Sequence, residues 1–268
     1  MIIEITDPDD PRLAPFREVR ERDLCGRGEG FIAEGKLVLA ALAESRLHAA
    51  EALLIARERL GGVANLLARF GDDIPVYVPL REIMDEIVGF PIHRGVLGLG
   101  RRGTSVEPEA LLASAAERAL VLLLIGVSNH DNMGGLFRNA AAFGAAGVLL
   151  DPTACDPLYR KAIRVSAGHA LKVPFARLSP GEDPIALLEA AGFDTFALSP
   201  KAATPLSAMA RPARAALVLG PEGEGLPPSL LDRCESLRIE MAPRVDSLNV
   251  STAAGIAMHH LAFASAAP

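Results

Sequence analysis

The stretch Val245-Asp246-Ser247-Leu248-Asn249-Val250-Ser251-Thr252-Ala253-Ala254-Gly255-Ile256 alternates small polar and apolar residues directly before a long apolar run. Ser251 is expected to cap a final helix reaching Ala264, with Ala253, Ile256, Ala257, Leu261 and Ala264 on one face. Two further blocks of the same kind lie upstream. Leu217-Val218-Leu219-Gly220-Pro221-Glu222-Gly223-Glu224-Gly225-Leu226 closes an apolar run, and Asn129-His130-Asp131-Asn132-Met133-Gly134-Gly135-Leu136-Phe137-Arg138-Asn139-Ala140 follows another, Ala119 to Val127. Small or polar residues just after an apolar run are what a parallel sheet presents to a ligand at its loop ends.

Around these blocks, strands alternate with helices from Ala119 onward, which implies an α/β fold with a mostly parallel sheet. Strands are expected at Ala119–Val127, Gly147–Leu150, Val173–Ala176, Thr195–Leu198, Ala215–Leu219 and Leu237–Met241. Helices are expected at Met133–Phe143, Leu158–Ala167, Pro184–Ala191 and Leu226–Cys234. Residues 1–103 read as a separate αβ unit. It has a charged helical stretch Arg12–Arg22, strands at Phe31–Gly35, Ala52–Ala56, Val76–Val78 and Gly95–Leu99, and a helix at Lys36–Ser45. Residues 104–117 read as a linker with a helix starting near Glu109, and 118–268 as the second domain.

Composition allows this. Half of the 268 residues are hydrophobic, only 4% are aromatic and Trp is absent, so the core is built from Ala, Val, Leu and Ile. The net charge of −6 carries no overall basic footprint. The basic residues Arg160, Lys161, Arg164, Lys172 and Arg177 nevertheless follow one another with no acid after Asp156, which reads either as a solvated face or as a patch for phosphates. Cys25, Cys155 and Cys234 are far apart, so neither a disulfide framework nor a zinc site is expected. The N-terminus lacks a basic-then-apolar leader and no apolar span has membrane length, which makes a cytoplasmic protein the expectation.

Taken one at a time, the blocks have plain readings. Asn132 can cap the helix that carries Arg138. The glycine block is neither Gly-x-Gly-x-x-Gly nor a Walker A loop, which argues against a dinucleotide-binding enzyme or a P-loop NTPase. Arg138 alone reads as a surface ion pair, although its planar guanidinium also suits a phosphate.

Taken together and in this order, the three blocks resemble the three motifs of the SpoU (TrmH-type) RNA 2′-O-ribose methyltransferases of the SPOUT class. The likeness runs through residues 120–265. A weaker one, at Phe31–Ser45 and His93-Arg94-Gly95, is to the small αβα RNA substrate-binding domain that precedes many SpoU catalytic domains. The resemblance implies a C-terminal trefoil knot, S-adenosylmethionine as methyl donor, tRNA or rRNA as substrate, and a homodimer with active sites near the subunit interface.

By resemblance, Arg138 is the key catalytic group, Glu222 and Asn249 hold it or the ribose, and Asn132 and Ser247 position substrate or cofactor. Gly220, Ile239, Leu248, Leu198, Leu219, Gly223, Met241 and Asn249 would bind the cofactor. No metal is implied. Family members usually follow the Arg with Thr, where this chain has Asn139. A valine at Gly220 is expected to fill the adenine pocket without harming the fold. A chain beginning near Glu109 is expected to bind cofactor but capture RNA poorly. The alternative is a catalytically weak RNA-binding or assembly protein that keeps the fold.

Overall fold

The structure is a computed structural model and describes residues 1–17, 30–210, 212–221, 223 and 225–263. The chain forms two compact units, Met1–Thr104 with Asp156–Lys172, and Ser105–Cys155 with Val173–Pro268.

The first unit is built on strands β1 (Ile2–Ile5), β2 (Gly30–Glu34), β3 (Ala49–Ile55), β4 (Val76–Pro79) and β5 (Val96–Arg101), in the order β1-β4-β3-β5-β2. β1, β4 and β3 pair in parallel, while β5 is antiparallel to both β3 and β2. Helices α1 (Lys36–Glu44), α2 (Ala64–Leu67) and α3 (Arg81–Val88) complete it. α3 was not evident in the sequence. It buries Met84, Ile87 and Val88 and stops at Gly89, whose left-handed φ of 79° suits a residue without a Cβ. Part of the charged stretch expected to be helical, Pro11–Phe16, forms a 3-10 turn that buries Leu13 and Phe16; residues 18–22 of that stretch, and Cys25, lie outside the described residues.

The second unit contains α4 (Pro108–Ala113), β6 (Ala119–Leu124), α5 (His130–Ala142) and β7 (Gly147–Leu150). After the excursion that carries α6 (Arg160–Val165) come β8 (Phe175–Arg177), α7 (Pro184–Ala190), β9 (Asp194–Leu198) and β10 (Thr204–Pro205). β11 (Arg214–Leu219), α8 (Pro228–Leu231), β12 (Glu235–Arg238) and α9 (Val250–Phe263) end the fold. The seven strands run β10-β12-β9-β11-β6-β7-β8, and every pairing is parallel. All residues of β6 are buried, as a central strand covered on both faces requires.

The final helix differs from its expected phase. α9 buries Ala254, Ala257, Met258, Leu261 and Ala262, while Ile256 is 42% exposed and Ala264 lies outside the described residues. A helix apolar on every side leaves periodicity little contrast with which to set its face. Its cap is Asn249 rather than Ser251, for the side-chain Oδ1 of Asn249 accepts the backbone N–H groups of Ser251 and Thr252. The last strand is also shorter than expected, so Ile239 and Met241 lie just beyond its carboxyl end.

Asp156–Lys172 folds with the first unit, which changes the reading of its basic residues. Arg160 pairs with the nearly buried Glu34 at 2.7 Å and Arg164 approaches the same carboxylate at 3.8 Å. Lys172 pairs with Glu44, Arg102 with Asp156, and the Ser45 hydroxyl donates to the Leu171 carbonyl at 2.6 Å. Gly168 sits so close to α1 that a Cβ there would come within 2.5 Å of Ala41. Arg177, in the second unit, donates to the carbonyls of Asp151 and Ala154. The stretch is therefore not a row of free cations: Lys161, Arg164, Lys172 and Arg177 are exposed, but most of its cations are paired. Its charge is matched by acids and carbonyls that are remote in sequence or on neighbouring loops.

Candidate active site

The chain passes from β6 outward through β7 to β8, then crosses to β9 on the far side of β6, with β11 filling the gap between β9 and β6. The strand order thus reverses beside β6, and such a switch point leaves a crevice at the carboxyl edge of the sheet. Leu124 pairs with Leu219 in register, and the Ile125 N–H donates to the Leu219 carbonyl at 2.9 Å. The loops after β6 and β11 therefore start side by side. Leu198 pairs with Leu237, and the Ser199 N–H donates to the Leu237 carbonyl, which brings the ends of β9 and β12 to the same edge.

Asn129, not Asn132, caps α5, accepting the N–H groups of Asp131 and Asn132 on its side-chain oxygen. Asn132 is thereby released from capping. It is 5% exposed, and its Oδ1 accepts Nδ2 of Asn249 at 2.8 Å. This one bond joins the first and third blocks across more than a hundred residues of sequence.

Below it the two helices run as a parallel pair. Gly135 leaves room for Ser251, since a Cβ there would lie 2.8 Å from the Ser251 Cβ and Oγ. Asn139 Nδ2 donates to the Ser251 carbonyl at 2.6 Å and faces Gly255, where a Cβ would lie 3.0 Å from the same nitrogen. Phe143 then meets His259 and Phe263 edge-on, with ring centroids 5.7 and 6.4 Å apart. The contacts of Asn132, Gly135, Asn139 and Phe143 follow one stripe of α5. Of these, sequence reasoning missed Gly135 and Gly255, although the spacing of Asn132, Gly135 and Asn139 carried the signal.

Arg138 stands apart. It is exposed, and its guanidinium forms no hydrogen bond or ion pair among the described residues. It is six residues beyond Asn132, which places its Cα about 9 Å farther along the axis and roughly 120° round it. Ser247 is exposed on the loop ahead of α9, while Glu222 lies outside the described residues.

Among the remaining site candidates, Leu198, Ile239, Met241 and Leu248 are half-buried at the carboxyl edge or in the loops beyond it. Leu219 is buried and its carbonyl is taken by Ile125, so it supplies position rather than an exposed surface. Gly223 has φ of 92° with open space where a Cβ would stand. Gly220 is different. A Cβ there would lie 2.8 Å from Gly225 C and Leu226 N, so a valine would displace the loop itself, contrary to the expectation that the fold would be spared. Asp151 is a support that sequence reasoning missed: its carboxylate accepts the N–H groups of Gly126 and Ala154 and so anchors the loop after β6.

Residues 119–259 match the SpoU rRNA methylase family model. The chain belongs to the SpoU rRNA methylase family. This SpoU methylase is 38% identical over 266 residues to a Mycobacterium bovis protein described as an uncharacterized tRNA/rRNA methyltransferase, covering 96% of this chain and 90% of the relative. It is 30% identical over 207 residues to a 23S rRNA (guanosine-2'-O-)-methyltransferase of Acinetobacter baylyi, covering 75% of this chain and 83% of that one. Its structure is similar to the crystal structure of an AdoMet-bound rRNA methyltransferase from Sinorhizobium meliloti, with 25% identity, a TM-score of 0.78 and 97% of each chain covered.

Proposed function

We propose that this SpoU methylase transfers a methyl group from S-adenosylmethionine to a ribose 2′-hydroxyl of tRNA or rRNA. The observation that carries the reading is the Asn132–Asn249 hydrogen bond, which ties the first and third motif blocks together at the carboxyl edge of a parallel sheet. The donor set suits an adenosyl group. Half-buried Leu198, Ile239, Met241 and Leu248 offer apolar walls, Gly220 lets the loop fold back closely on itself, and Gly223 offers backbone without an intervening side chain.

S-adenosylmethionine, when bound, supplies a methyl group already activated on a sulfonium. The protein then has to align that methyl with the ribose oxygen and hold both in place. Asn132 and Asn249 fix the two loops, and Ser247, exposed beside them, is free to meet the ribose. Arg138 offers a planar, cationic fork of donors to an RNA phosphate. Glu222 completes the set by its place in the second motif. The first unit is read as the RNA substrate-binding domain, and the C-terminal part as a trefoil knot.

We read the protein as a homodimer. Ile256 and Phe263 on α9 are 42% and 65% exposed, large apolar side chains that a second subunit would cover. A subunit interface there would lie near Arg138 on the adjacent α5.

The test is to map 2′-O-methyl groups in total RNA from a deletion strain, then to restore the missing mark in vitro with labelled S-adenosylmethionine. Loss at one nucleotide, restored by the protein, is the expected result. A protein that binds RNA and cofactor but is silent on every cellular RNA would favour the non-catalytic alternative.

A further inference from the structure

We propose that Asn139 is a positioning residue for methyl transfer, acting as a clasp that sets the register of α9 against α5. The inference rests on the proposed function for its catalytic consequence but not for its geometry. Asn139 follows Arg138 directly, and its Nδ2 donates to the Ser251 carbonyl at 2.6 Å. Ser251 lies in the first turn of α9, two residues after Asn249, whose side chain both caps that turn and reaches Asn132. A single amide thus links the helix that carries Arg138 to the turn that carries Ser247 and Asn249.

The surroundings are shaped for this amide. Gly255 lies one turn beyond Ser251, and a Cβ there would be 3.0 Å from Asn139 Nδ2 and 3.4 Å from its Cγ. On the other side, Gly135 lets the Ser251 side chain settle against α5, where a Cβ would stand 2.8 Å away. Two glycines in helix interiors each weaken their helix relative to alanine. Here they flank the same contact, one on each helix, and together they let the backbones approach until Asn139 reaches a carbonyl already inside a helix. The resemblance leads one to expect Thr at this position, whose hydroxyl is carried on a shorter side chain. In this chain the longer Asn is matched by Gly255.

A clasp of this kind controls depth. If α9 slid along α5 by a fraction of a turn, the loop from Ser247 to Asn249 would move relative to Arg138, while the half-buried apolar residues at the ends of β9 and β12 would stay in place. Alignment of the reacting groups would suffer most, while cofactor binding would lose only part of its contact with Leu248 and keep the walls at Leu198, Ile239 and Met241.

The experiment compares Asn139→Ala, Asn139→Asp and Gly255→Ala, alone and as Asn139→Ala with Gly255→Ala, in the full chain. Single-turnover methyl transfer to the identified RNA, S-adenosylmethionine affinity by calorimetry, urea midpoints and hydrogen exchange of residues 247–252 are measured. Asn139→Ala should slow transfer about tenfold, the scale of one net hydrogen bond, while cofactor affinity stays within about twofold. Asn139→Asp, nearly isosteric but facing a carbonyl with a carboxylate, should lose at least as much. Exchange at 247–252 should rise in both. Gly255→Ala should slow transfer when Asn139 is present and cost nothing further when it is Ala.

Unchanged exchange and transfer would overturn the inference, as would loss of cofactor affinity and midpoint in step with rate. A wild-type protein that methylates no RNA would sink the functional reading alone. In that case the exchange of 247–252 and its coupling to Gly255→Ala still decide whether Asn139 is a clasp.

Discussion

Asn249 donates Nδ2 to Asn132 Oδ1 at 2.8 Å while its own Oδ1 accepts the N–H and Oγ–H of Ser251. One side chain therefore performs two separable jobs, with the oxygen capping α9 and the nitrogen holding α5. Asn249→Asp keeps the oxygen and replaces the donor, so it should retain most of the cap while losing the bridge. Asn249→Ala loses both, and should lower stability by about 1–2 kcal/mol, the sum expected of a cap and a hydrogen bond. Urea unfolding separates the two variants. Both should lose methyl transfer, and an Asp variant as active as wild type would show the bridge to be dispensable.

Arg138→Ala should cut transfer by orders of magnitude with little change in S-adenosylmethionine affinity, because Arg138 is exposed and forms no ion pair or hydrogen bond among the described residues. Arg138→Lys should fail to rescue, since a point charge does not reproduce the planar fork. Single-turnover rates at saturating cofactor decide the matter. A near wild-type rate for the Ala variant would remove Arg138 from the mechanism.

Cofactor binding is better tested at Ile239 than at Gly220. Even Gly220→Ala would press a Cβ to 2.8 Å from Gly225 C and Leu226 N, so lost affinity there would report loop damage. Ile239 is half-buried beyond β12. Ile239→Ala should weaken S-adenosylmethionine about tenfold through lost apolar contact, with little change in the urea midpoint. Undiminished affinity in calorimetry would place the pocket elsewhere.

The sheet was legible because β6, β7 and β11 are apolar runs buried on both faces, and no helical period competes with them. The Asn132–Asn249 pairing was legible only as shared membership of a site. Which Asn caps which helix depends on one residue of phase, and Asn129 took the role expected of Asn132. The fate of Arg160, Arg164 and Lys172 was hidden for another reason. Their partners, Glu34 and Glu44, lie over a hundred residues away, beyond any local pattern of charge.

That pairing revises what a shortened chain would do. A chain beginning at Glu109 loses α1 and β2, against which α6 and the following turn pack. Leu171 and Ile163, both 0% exposed in the full chain, would lose partners, and Arg160 would lose Glu34. We expect this chain to be less stable and prone to association, seen as a lower urea midpoint and as larger species in sizing. Poor RNA capture by it would then report misfolding as much as a missing RNA surface. A shortened chain as stable as the full protein would mean that 156–172 holds its shape unaided.

The last prediction concerns pH. His48 packs edge-on to Phe31, its Nδ1 accepts the Gly103 N–H at 3.2 Å, and its Nε2 is buried without a hydrogen-bond partner among the described residues. Burial, and then the nearby Arg102 guanidinium, push its pKa down to about 4 from 6.5, with Asp156 opposing. A histidine held neutral in the fold but free to protonate when unfolded contributes stability above pH 6.5. That stability is lost as pH falls toward 4, because the unfolded chain binds the extra proton first. Carboxylates that lean on cations, such as Glu44, whose pKa is held at about 2 by Lys172 and Arg69, lose their contribution at lower pH. The interval just below pH 6.5 therefore separates the histidine from these carboxylates. The urea midpoint of the wild type should decline from pH 7 to pH 5, and His48→Phe, which keeps a ring against Phe31 without a titrating nitrogen, should flatten that decline. Equal slopes in the two proteins would show that His48 does not govern acid stability in this range.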